Sequence, residues 1–146
     1  MLESIKIFDF ILIANVIWFG MAFNVFALRN TIFAKILVPR EHRDTPVFDV
    51  LAETGKFLGG FNLAFCVLNV LILINSNIFP KGEQRIILCS VFALAHGSQF
   101  IANVPIALDN LKGKGVWQVK GTMRFIFITD FVMMVANLGI VLLYAC

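Results

Sequence analysis

Charge is what this chain has least of. Charged residues make up 14% of its 146 positions, where soluble domains carry about 25%. Hydrophobic residues reach 60% and the mean hydropathy is +0.89, which excludes an ordinary soluble globule. The net charge is only +3 and its basic residues are scattered. No run of them is long enough to hold nucleic acid, which is not an expected partner. Cysteine is equally thin. Cys66, Cys89 and Cys146 are odd in number and form no CxxC pair, so neither a disulfide framework nor a zinc site is expected. Buried thiols of this kind behave as small apolar residues. No CaaX box is expected at Cys146. HExxH, GxSxG and Walker loops are absent. A bis-His haem would need a second deep ligand beside His96. No metal, cofactor or catalytic centre is indicated, and the reading inclines away from an enzyme.

What is present is length of apolar run. Crossing a hydrocarbon core about 30 Å thick takes about 20 apolar residues. Four stretches qualify, at about 8–28, 56–74, 86–108 and 123–144. The expected fold is all-α: one domain over 1–146, a polytopic membrane protein with four spans in an antiparallel bundle. "NSNIFPKGEQR" (75–85) and "DNLKGKGVWQVKG" (109–121) carry Asn, Pro, Gly and charge, the chemistry of turns. The leader "MLESIK" is barely basic and no small-x-small site follows, so the first span is expected to be a retained helix. In the longest connection, Ile32, Phe33, Ile36 and Leu37 recur at helical spacing around Lys35. This predicts a short interfacial helix over 31–38, ended by Pro39.

Lys and Arg set the orientation. The loops around Arg40 and Lys114 carry nine of them with their flanks, and the termini and second loop carry three. The basic loops are therefore expected in the cytoplasm and both termini outside.

Polar residues inside the spans are few and ordered. Asn62 is followed by Asn69, His96 by Asn103 and Asp130 by Asn137, each seven residues on and hence on one helix face. Cys66 joins the first stripe and Gln99 the second. Asn15 and Asn24 in the first span are nine apart and face opposite ways. A charge at mid-bilayer costs about 2.5–3.5 kcal/mol on insertion scales. Stripes facing one another can share hydrogen bonds, so a polar seam is expected around His96 and Asp130, lined by Asn62, Cys66, Asn69, Gln99, Asn103 and Asn137. The plain reading is inter-helix glue; the functional one is a cavity for a ligand, ion or proton. Gly55 and Gly59 form a GxxxG, read as close helix packing. Arg40, His42 and Arg43 in "PREHRDTP" could meet a lipid headgroup or phosphate, or form a solvated loop with internal ion pairs. Trp117 and Tyr144 fit interfacial anchors, whereas Trp18 lies within a span and is expected to pack inward.

The layout of a first span, a basic connection with an amphipathic piece, and three further spans resembles the Erg28-like small four-helix membrane proteins. "VFALAHGSQF" (91–100) is similar to that family's corresponding stretch in placing a His amid Leu, Ala and Gly. The resemblance implies a scaffold for membrane enzymes of sterol chemistry. DoxX-like proteins share the spacing of spans. Three functions are thus open. One is an accessory or scaffold subunit, partnered by lipids and by other membrane subunits or a second copy. Another is a transporter, channel or proton-handling protein using His96 and Asp130. The third is a lipid-, sterol- or quinone-binding protein or enzyme.

Overall fold

The computed structural model describes residues 2–146, and within them all side chains but those of residues 2–5 and 76. Every regular element among them is helical: α1 (Leu2–Phe23), α2 (Asn30–Leu37), α3 (Pro46–Ile74), α4 (Gly82–Leu111) and α5 (Thr122–Ala145). A π-helical turn, Asn24–Leu28, prolongs α1 to Arg29, and single 3-10 turns lie at Arg40–His42 and Ser76–Ile78. Four helices are long and apolar enough to cross a membrane: Lys6–Leu28, Pro46–Ile74, Gly82–Leu111 and Thr122–Ala145. This is the make-up of a small integral membrane protein. Of the four, α4 is the least apolar, because it carries the His96 stripe.

The third and fourth of these run to within a few residues of the expected bounds. α3 does not: it begins ten residues before Lys56. Thr45 is extended and Pro46 takes the first helical position, where its fixed φ suits a helix and its missing N–H costs nothing. This stretch was expected to belong to the long connection over 29–55; its Asp49 and Glu53 are exposed. On the opposite face Phe48 and Ala52 pack with Ala34 of α2. The same face continues through Gly55, Gly59, Asn62, Asn69 and Ile72, all buried. α3 is about 43 Å long at 1.5 Å per residue, more than a bilayer core needs.

The GxxxG of α3 meets the π turn. A Cβ on Gly59 would lie 2.8 Å from the Ala27 nitrogen, and one on Gly55 would strike the Phe33 ring. Only glycine admits this approach. It seats α2 against α3, the π turn and α5. Of the α2 apolar residues, Phe33 is buried, Ile36 and Leu37 are half-buried, and Ile32 is exposed. Much of the predicted apolar face is therefore turned onto the protein.

The main core fills the half of the molecule towards the α3–α4 connection. Phe8, Leu12, Phe19, Ile72, Cys89, Phe92 and Ile140 are buried together there. At its edge sits Arg85, only 6% exposed. Its Nε donates to the Phe79 carbonyl at 3.3 Å and a terminal nitrogen donates to the Tyr144 hydroxyl. Its guanidinium stands 5.0 Å from the Phe8 ring centre and 5.1 Å from that of Tyr144. Cation–π contact and two donated bonds offset part of its desolvation, and tie α1, α4 and α5 together.

Candidate functional site

Near the middle of α4, His96 is 1% exposed and its ring stacks on Phe19 at 4.7 Å. Its Nδ1 lies 3.4 Å from Oδ1 of Asp130, which is 2% exposed. The same Oδ1 accepts a bond from the Trp18 indole N–H at 2.8 Å. On the other side of the ring, Nε2 lies 3.1 Å from Oδ1 of Asn15. Asn15 and Asn137 donate to each other's amide oxygens, both at 3.1 Å, and Asn137 also donates to the Met133 carbonyl of its own helix. Trp18, Asp130, His96, Asn15 and Asn137 thus form one unbroken chain of hydrogen bonds through α1, α4 and α5. A polar group buried without such partners would cost several kcal/mol (about 2–7).

The predicted seam divides into three parts. His96, Asp130 and Asn137 belong to this network. Asn62, Gln99 and Asn103 line a cavity that begins at its edge. Cys66 and Asn69 of α3 belong to neither: the Cys66 thiol donates to the Val16 carbonyl of α1 at 3.5 Å. Asn62, Asn69 and Asn103 each spend their amide on the carbonyl four residues back, at 2.7, 2.8 and 2.8 Å. Such back-bonds satisfy the donor without crossing between helices. Asn69 Oδ1 is buried with no partner among the described residues.

The cavity has a volume of about 280 Å³. Trp18, His96 and Asp130 form its floor. Its walls are mostly apolar, with Met21, Val25, Phe26, Leu58, Phe125 and Ile126 beside the polar Asn62, Gln99, Asn103 and Thr122, and it reaches Phe33, Ile36 and Leu37 of α2 and Trp117. Trp117 is placed by Asn110, whose amide nitrogen donates to the Lys114 and Trp117 carbonyls, both at 2.9 Å, and whose oxygen accepts from the Val119 N–H at 2.7 Å. The indole N–H of Trp117 then donates to Asn103 Oδ1 at 3.2 Å. Both tryptophans of the chain therefore border one cavity.

The basic turn after α2 is not a uniform patch. Arg43 is half-buried and donates to the Val38 and Lys35 carbonyls, both at 2.9 Å, so it caps the C-terminus of α2. Arg40 and His42 are exposed. No group of three His, Cys, Asp or Glu able to hold a metal ion occurs among the described residues.

Sequence reasoning passed over Asn15, Trp18 as a donor, and Arg85. For the first two a signal existed: an Asn and a Trp three apart, deep in an otherwise apolar span, share a helix face. Comparison with family models, with curated proteins and with solved structures returned no match.

Proposed function

We propose that this chain is an antiparallel four-helix membrane protein that binds one amphiphilic molecule in its intramembrane cavity. The observation carrying the reading is the floor. A hydrogen-bonded His–Asp–Trp cluster closes one end of a cavity whose walls are mostly apolar. Convergent polar groups at the end of an apolar pocket are the usual form of a small-molecule site, and buried ionisable residues in a membrane protein mark such sites. At about 280 Å³, near the lower bound for such sites, the cavity takes a headgroup and the first part of a chain.

The basic loops face the cytoplasm and both termini lie outside in this reading, supported by the nine-to-three split of Lys and Arg. α2 lies at the cytoplasmic interface and roofs the cavity, and Arg40 and His42 meet headgroups there. The plug of Leu12, Phe92, Ile72 and Ile140 beyond Asn15 and Asn137 counts against a transporter or channel, since a conducted ion needs polar partners to the far side. The accessory-subunit reading rests on the small size of the chain and its lack of catalytic motifs, and stable partners co-purifying from native membranes would be its support.

Native mass spectrometry of the protein extracted from membranes tests the binding. The wild type should retain one bound amphiphile per chain. Ala22→Phe, which fills the cavity from its wall, should lose it while keeping its thermal stability. Equal retention by both would place the ligand elsewhere.

A further inference from the structure

The hydrogens at the floor of the cavity can be accounted for one by one. Asn15 Oδ1 already accepts from Asn137, and the Asn15 amide nitrogen is spent on Asn137 Oδ1. Asn15 Oδ1 can therefore only accept from His96 Nε2 at 3.1 Å, and Nε2 bears a hydrogen. Nδ1 faces Asp130 Oδ1 at 3.4 Å. Two lone pairs would repel across that gap, so one proton lies between them, on the imidazole or on the carboxyl. In either arrangement the pair carries no net charge. The Trp18 hydrogen is spent on Asp130 Oδ1.

Among the described residues, no donor of Trp18, His96 or Asp130 is left over. What remains is an acceptor. Asp130 is 2% exposed and borders the cavity, and its second oxygen, Oδ2, takes no hydrogen bond from a described residue. A ligand head must therefore donate there. Gln99, three residues along α4 from His96, borders the same cavity and has an amide N–H to offer in return.

Resting on the proposed amphiphile site, we infer that the bound head is an uncharged hydroxyl, held by donation to Asp130 Oδ2. A hydroxyl both donates and accepts, which suits Oδ2 and Gln99 together. A ketone, an ether or a quinone carbonyl only accepts and would set lone pairs against Oδ2. An ammonium donates too, but brings a net charge to a pair that has none, at a desolvation cost that one bond to Oδ2 does not offset. The site selects alcohols.

The test uses the full-length protein in lipid nanodiscs and the fluorescence of its two tryptophans, both of which border the cavity. The probes are a chain-brominated dodecanol, its methyl ether, the methyl ketone of equal length and the corresponding amine. Bromine quenches tryptophan on contact. The alcohol should quench saturably and bind at least about tenfold more tightly than the other three, the loss expected for one hydrogen bond to a charged or acidic group. Asp130→Leu removes Oδ2, so the alcohol should lose its advantage over the other three. If that variant does not fold, the wild-type order decides alone. Equal saturable binding of all four would overturn the hydroxyl and leave the amphiphile site standing. Tightest binding of the amine would overturn it in favour of a cation. No saturable quenching by any probe would overturn the site itself.

Discussion

The two halves of this molecule solve the problem of burial in opposite ways. Towards the α3–α4 connection, Phe8, Leu12, Ile72, Phe92 and Ile140 make an apolar core, and its one charge, Arg85, is clamped by two aromatic rings and two acceptors. Towards the basic loops the helices part around a cavity, and its floor is one end of a polar network five side chains long. Packing alone would fill both halves with Leu and Phe. The other half instead keeps space, with a costly polar cluster at the end of it, the arrangement the proposed binding site requires.

Disturbing the polar half should have the largest effect on folding. His96→Leu and Asp130→Leu each leave a buried partner uncompensated, at about 3–5 kcal/mol. The double variant should cost clearly less than the sum, as read by unfolding in detergent; strict additivity would mean that the 3.4 Å contact carries no coupling. Asn15→Leu comes next. It deprives His96 Nε2 and the Asn137 amide of their partners, at about 1–3 kcal/mol, and should weaken amphiphile binding because His96 is no longer held under the floor. The smallest effect belongs to the apolar half. Ile140→Val should cost about 0.5–1.5 kcal/mol and leave binding unchanged. A loss of binding there would erase the division between the halves.

The helices and three of the four polar stripes were legible because period is a local property of sequence. A seven-residue repeat of polar residues in an apolar run announces a face, and α3, α4 and α5 each have one. α1 escaped because Asn15 has no partner at that spacing; its partner, Asn137, lies on another helix. Arg85 read as an ordinary loop charge, since the Phe8 and Tyr144 rings that hold it come from the two ends of the chain. The first ten residues of α3 fell within the expected connection, although Pro46 and the Phe48–Ala52 spacing signal a helix start. The π turn at Asn24–Leu28 has no sequence mark of its own; it accompanies the close approach of Gly59 to Ala27. The cavity was beyond reach for a related reason. Asn62, Gln99 and Asn103 were marked as polar, but which of them face a space and which bond their own helix is decided by tertiary packing.

One-sided access to the polar half is the claim on which the rest depends. It can be measured with impermeant thiol reagents on a variant in which Cys66, Cys89 and Cys146 are replaced, carrying one new cysteine at a time: Asn77→Cys in the α3–α4 connection, Lys114→Cys in the basic loop, or Gln99→Cys in the cavity wall. In intact cells Asn77→Cys should react while the other two do not. In inverted vesicles Lys114→Cys and Gln99→Cys should react together and Asn77→Cys should be silent. Reaction of Gln99→Cys in intact cells, alongside Asn77→Cys, would contradict the account.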